Sequence, residues 1–216
     1  MKENIIEIYE KYKIMPNLQE HMLRVAAVAS IICDNLDEPV EKEQIITVCL
    51  LHDMGNIIKA EFGVFPPDFW GEKDLTYWQE VKNEYIKKYG NNEHEVTAQI
   101  IKEIGMNAHI VQLADRNRFS FTCDIAEGND LIAKIIKYSD FRAGPYGILS
   151  YEERMNEANN RYKKHINFFE KEKRQKLVEC GRKIEKQIFA RCKIKPEDIN
   201  DESVKSIILE LKNFVI

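Results

Sequence analysis

Apolar residues recur at intervals of three and four along most of the chain, and no stretch alternates cleanly with a period of two, so the pattern predicts an all-α fold. Asn17 with Glu20 three residues on reads as a capping box, opening a helix to about residue 36 through Met22, Val25, Val28, Ala29, Ile32 and Leu36. Pro39 and Gly55 bracket a second helix over 41–53, made apolar by Ile45, Ile46, Val48, Leu50 and Leu51 and therefore expected to be buried. Gly63, Pro66, Pro67 and Gly71, set among Phe62, Phe65, Phe69, Trp70 and Trp78, predict an aromatic-anchored loop over 58–77, of the kind that covers sites. Helices over 78–89, 94–104 and 110–113 follow; Gly90 and Gly105 end the first two, and Asn92 with Glu95 caps the second. A helix over 131–141 shows Leu131, Ile132, Ile135 and Ile136 as its apolar face, and after Gly144, Pro145 and Gly147 the pair Ser150 and Glu153 opens another.

From 150 to 193 the apolar positions thin to a narrow stripe: Met155, Ala158, Tyr162, Ile166, Phe169, Leu177, Cys180, Ile184 and Ile188 between many Lys and Glu. A solvated helical pair packed by one face accounts for it, and so does a homodimer contact. A short helix over 203–214 closes the chain. The expected organisation is a core over 1–149 and a charged helical extension over 150–216 packed on the same domain, with no repeat or low-complexity tract.

Composition narrows the partners. With 216 residues, 44% hydrophobic and 31% charged, the chain is ordinary folded protein. Its 32 Lys+Arg against 36 Asp+Glu give a net charge of −4, with no global attraction to nucleic acid or anionic lipid, so neither is an expected partner. The longest apolar run, 45–51 with Thr47 inside it, falls far short of the ~18 residues of a membrane span. The first residues lack the basic start, apolar stretch and cleavage site of a signal peptide. Five scattered cysteines without a C-x-x-C pair suggest neither a disulfide framework nor a thiolate zinc site, and a reducing cytoplasm is expected.

The chemistry concentrates on apolar stripes. His21 lies four residues before Val25, His52 follows Leu50 and Leu51, His94 precedes Ala98 and Ile101, and Asp140 follows Ile136. Singly, each reads as a hydrogen-bonded core histidine or a helix-capping aspartate. Together His21, His52, Asp53, His94 and Asp140 come from four helices that a bundle can converge, a nitrogen and carboxylate set suited to Mn, Fe, Zn or Mg. Adjacent helical residues diverge by ~100°, so His52 and Asp53 share a site only at a helix end, where Gly55 puts them. His109 and His165 have no such context and read as surface or packing residues. The aromatics of 62–78 fit packing under a loop, or stacking on a nucleobase.

The order His21, then His52-Asp53 within Leu50-Leu51-His52-Asp53-Met54-Gly55, then Asp140 after Ile135-Ile136-Lys137-Tyr138-Ser139, resembles the HD-domain superfamily of metal-dependent phosphohydrolases. His94, in His94-Glu95-Val96-Thr97-Ala98, is similar to that family's next histidine helix, which in some members binds a second metal. The resemblance spans roughly residues 17–145 and implies an HD-domain helical bundle. It implies that His21, His52, Asp53 and Asp140 hold a first divalent ion (Mn, Fe, Zn, Ni or Mg), that Asp53 is the catalytic bridging carboxylate, and that His94 serves a second ion. The implied reaction is hydrolysis of a small-molecule phosphate ester, with nucleotides among the candidates, by a metal-activated hydroxide.

Two positions depart from that pattern. Where two-metal members carry a further histidine this chain reads Ile110-Val111-Gln112-Leu113-Ala114-Asp115-Arg116, leaving Asp115 as a substitute or one metal only; and Asn56 stands where many members have a phosphate-contacting lysine. Arg24, Lys59 and Arg142 are the candidate phosphate contacts, each also readable as a surface ion pair. The departures motivate an alternative, a catalytically weak sensor of metal and nucleotide. A metal-free structural module and a di-iron oxygenase complete the expectations.

Overall fold

A computed structural model describes residues 3–162 and 171–216 of the chain. Among the described residues there are eleven α-helices, four short 3-10 turns and three isolated β-bridges, but no strand. Ile166, Phe169 and His165 lie outside the described residues, as does the side chain of Tyr162.

Helix α2 (Pro16–Asp34) is the axis of the core, buried along Met22–Ser30 except at Arg24. Against it pack α3 (Lys42–Leu51), α8 (Leu131–Asp140) and α11 (Asp201–Leu211). Every residue of α3 from Ile45 to Leu51 is buried, because apolar side chains surround that helix rather than striping one face. Helix α1 (Ile5–Lys11) ties in through the Tyr9 hydroxyl, which donates to the Leu50 carbonyl at 2.7 Å. Helices α4 (Leu75–Tyr89), α5 (Glu93–Glu103) and α6 (Ala108–Arg116) form a second side of the bundle, with α6 packed on α3. Beyond α7 (Thr122–Glu127) and α9 (Tyr151–Tyr162), the long α10 (Lys171–Phe189) packs on α7 and α8 through Cys180, Ile184 and Ile188. No helix among the described residues is long and apolar enough to cross a membrane.

Several boundaries differ from the sequence pattern for identifiable reasons. Asn17 does not cap α2: Pro16 takes the first helical position, Met15 the capping position, and the Asn17 side-chain oxygen is left buried without a partner. The loop over 58–77 contains the 3-10 turn Pro67–Trp70, a second such turn, Asn56–Lys59, leads into it, and α4 starts three residues early because Asp74 caps it by accepting from the Tyr77 N–H. The loop aromatics pack on one another: Phe65 stacks on Phe69 at 4.0 Å between centroids, and Trp70 is 3% exposed. The Asn92 cap and the Ser150–Glu153 box form as the sequence indicates.

The cysteine expectation is corrected outright. Cys123 on α7 and Cys180 on α10 form a disulfide across 57 residues of sequence, a pairing that no local spacing announces. Closing a loop of that length contributes up to about 4 kcal/mol through the unfolded chain. Dithiothreitol, or Cys123→Ser, is therefore expected to lower the urea midpoint, and a midpoint unchanged by reduction would show that the bond adds nothing.

Candidate metal centre

The centre forms where three helices meet. α3 stops at His52, and the turn that follows is held by the Asn56 N–H donating to the Asp53 carbonyl at 3.0 Å and the Gly55 N–H donating to the Thr97 hydroxyl at 2.9 Å. Gly55 has an ordinary φ of −94°, so its role is space. A Cβ there would lie 2.4 Å from the Glu93 carbonyl oxygen and 2.8 Å from the Thr97 nitrogen, and glycine alone lets the first turn of α5 come this close.

His52 is oriented from behind. Its Nδ1 lies 2.8 Å from the Cys49 carbonyl oxygen, which can only accept, so Nδ1 carries the proton and Nε2 presents its lone pair forward. That Nε2 is buried and has no hydrogen-bond partner. His21 Nε2, from α2, is 3.6 Å from Asp53 Oδ2 and 3.3 Å from Asp140 Oδ1; His52 Nε2 is 3.6 and 3.7 Å from the same two oxygens. Ligands bound ~2.1 Å from one ion sit ~3.0–3.4 Å from one another, so this set is close to a coordination shell, and the atoms offered by His21, His52 and Asp53 all fall within 4.8 Å. An orphaned, buried imidazole nitrogen facing two carboxylates fits a divalent cation.

Without a cation the cluster meets its charge through protons. Burial pulls the His52 imidazole down, but Asp53, Asp140 and the Cys49 carbonyl outweigh it and raise it to about 9. Burial works against the Asp140 carboxylate too, yet the two imidazoles and the Lys137 ammonium hold it well below its ordinary value.

Asp140 is braced by two residues that the sequence pattern did not single out. Asn117 Nδ2 donates to Asp140 Oδ2 at 3.2 Å, and Lys137 Nζ lies 3.8 Å from the same oxygen while donating to the Asn117 carbonyl. Lys137 is 1% exposed, and burial, eased by Asp140 and Asp53, pulls its ammonium down to about 8. A lysine inside the buried run of α8 was the available signal; for Asn117 the sequence carries none.

His94 lies beside the centre. With His52, Thr97 and Asp115 it lines a gap of about 10 Å³, roughly one water. Burial, together with the Arg118 and Lys59 charges, lowers the His94 imidazole against the pull of Glu93, favouring the neutral form that binds metals. Asp115 is engaged by the Arg118 guanidinium.

The three expected phosphate contacts part company. Lys59 is half exposed and loosely held, 3.9 Å from Glu93 Oε1, and its charge is felt at both His94 and Lys137. Arg24 donates to the Pro145 carbonyl at 3.3 Å and pairs with Glu20 at 2.7 Å. Arg142 does not face the centre. It is 3% exposed and gives its donors to the Tyr138 hydroxyl and the Leu149, Pro196 and Ile199 carbonyls, clamping the end of α8 to the segment before α11.

A family model described as HD domain matches residues 18–140. No curated protein and no solved structure matches the chain.

Proposed function

We propose, from the premise that the chain belongs to the HD-domain family, a superfamily of metal-dependent phosphohydrolases, that its centre hydrolyses a small-molecule phosphate ester. The observation that carries this reading is the buried, unpartnered His52 Nε2 facing Asp53 and Asp140 beside His21. A divalent ion held there supplies Lewis acidity toward water and the phosphoryl oxygen. Mn, Fe, Zn, Ni and Mg all accept a mixed imidazole and carboxylate set.

The chain's own residues do the positioning. The Cys49 carbonyl fixes the His52 tautomer, and Asn117 and Lys137 occupy Asp140 Oδ2 so that Oδ1 faces the imidazoles. Lys59, loosely paired and exposed, takes a phosphate oxygen where Asn56 has no charge to offer. His94 recruits a second ion across the gap it shares with His52 and Asp115. A nucleotide is the finer reading of the substrate: the Tyr146 ring, 70% exposed, stands edge-on to Phe69 and follows the Pro145 carbonyl that Arg24 engages.

Initial rates on a panel of nucleotides and simple phosphomonoesters, each with the five metals in turn, test the reading. Turnover of at least one ester that stops with a chelator is expected; no turnover of any ester, with metal bound, would turn the assignment to the alternative. That alternative, a sensor that binds without hydrolysis, is favoured by one observation, the capture of Asp115 by Arg118. Asn117→Ala removes a donor to Asp140 and is expected to weaken metal binding by ~10–100-fold, read by competition with a chelating dye; unchanged affinity would show that Asp140 needs no such brace.

A further inference from the structure

The segment 117–123 is fastened to the metal centre at one end and to α10 at the other. Asn117 donates to Asp140 Oδ2 at 3.2 Å, and its carbonyl accepts from Lys137. Beside it, Arg118 engages Asp115, which lines the gap shared with His52 and His94. The Phe119 ring stands edge-on to Phe141, the residue after Asp140, at 5.9 Å between centroids. At the far end, Cys123 is bonded to Cys180 in the body of α10.

The fastening at the far end can be undone chemically. α7 has only six residues, too few to hold a helix on its own, so its place depends on what it packs against. It is kept on α10 by the buried Ile125 and Ala126, by Gln187 Nε2 donating to the Ala126 carbonyl at 3.0 Å, and by the disulfide. Of these, only the disulfide answers to a reductant. Cys123 is part-exposed, whereas Cys180 is 3% exposed, so Cys123 is the half that a reductant meets first. The separated form has a partner in place: Cys123 Sγ lies 3.7 Å from the Lys176 carbonyl oxygen, an acceptor for the free thiol.

We propose that the Cys123–Cys180 bond is a redox switch on metal affinity: formed, it pins 117–123 so that Asn117 braces Asp140, and reduced, it slackens that segment and the metal is held more weakly. The inference rests on the metal-binding reading of the centre. Coupling between separate sites needs an element with two arrangements that one site biases and the other feels; α7 bolted to α10 and α7 merely packed on it are those two. In the reducing direction, a thiolate of a dithiol attacks Cys123 Sγ, and Cys180 leaves as a thiolate that takes a proton. The second thiol of the reductant then displaces Cys123, so two electrons and two protons pass to the protein and the reductant ends as a disulfide.

The test compares the full chain in two states: oxidised, with three free thiols on titration in urea, and reduced with dithiothreitol then desalted without oxygen. Mn is the probe, read by competition with a chelating dye, because so hard an ion leaves the freed thiols alone. Reduction is expected to weaken Mn binding about three- to tenfold, less than the ~10–100-fold of losing a bracing residue outright, and reoxidation to restore it. Asn117→Ala should bind weakly in both states and respond less than about twofold to the reductant, since the brace through which the bond acts is gone; a bond that only stabilised the fold would act on that variant as it acts on wild type. Cys123→Ser should match the reduced protein with or without dithiothreitol, and Cys180→Ala repeats the comparison if the serine protein does not fold. Equal Mn affinity in the two states, a full response in Asn117→Ala, or no loss of thiols on oxidation overturns the proposal. No binding of Mn or Fe in either state removes the metal-binding reading and this inference with it.

Discussion

Asp53→Asn is expected to lower phosphoester hydrolysis at least ~10³-fold, equivalent to about 4 kcal/mol of transition-state stabilisation, with little effect on folding. Asp53 Oδ2 lies 3.6 Å from the Nε2 atoms of both His21 and His52, so the substitution removes one of the two carboxylate charges, with Asp140, that face both imidazoles. An amide oxygen is a poor substitute for a carboxylate toward a divalent ion. The fold should tolerate the change, because the turn after α3 is held by backbone atoms and by Thr97 rather than by the Asp53 side chain. Metal-free Asp53→Asn should therefore stay folded, melting lower than metal-free wild type only by the lost pairing with protonated His52. Turnover within tenfold of wild type would remove Asp53 from the catalytic centre.

Arg142→Met is expected to act the opposite way, costing stability rather than chemistry. The guanidinium serves one hydroxyl and three carbonyls from three separate segments. Methionine matches much of its length but leaves the Tyr138 hydroxyl and the Leu149 and Ile199 carbonyls without that donor, at ~1–3 kcal/mol for each one that stays buried, while the Pro196 carbonyl keeps the Ile199 N–H. A total loss of at least about 3 kcal/mol is expected in urea titrations. Arg142→Lys should recover little, since an ammonium cannot reproduce the planar fork that reaches all four. The folded fraction of Arg142→Met should still bind metal, because Arg142 touches none of the residues at the centre. A variant as stable as wild type that binds its substrate weakly would restore Arg142 to the phosphate site.

The contrast between these two residues shows what was legible in the sequence. Helix periodicity, with Asn92, Gly105 and the Ser150–Glu153 pair as punctuation, carried the long helices, because side chains three and four apart share a face wherever the helix packs. His52 and Asp53 stood out because an apolar helix that ends in two polar residues must spend them on something. Arg142 misled because closeness in sequence to Asp140 says nothing about direction; it lies two residues past the last residue of α8, and its side chain turns to the segment before α11.

Short elements left too little signal: α1 and α7 span seven and six residues, fewer than two full helical turns. The Cys123–Cys180 disulfide and the Asn117 brace on Asp140 depend on how distant segments meet, across 57 and 23 residues. Lys137 escaped notice for a related reason. A lysine within a helical pattern reads as solvated, and only packing reveals that this one lies inside.

Metal content is the most direct test of the centre. Protein prepared without a histidine tag and without added metal, alongside Asp53→Ala prepared identically, is analysed for Mn, Fe, Zn, Ni and Mg. Near-stoichiometric metal in the wild type and its loss in Asp53→Ala are expected, with a second equivalent if His94 recruits another ion. Two empty proteins, still empty after incubation with Mn and Fe, would contradict the assignment and leave His21, His52, Asp53 and Asp140 as a structural polar cluster, buried at His52 and part-buried at the other three.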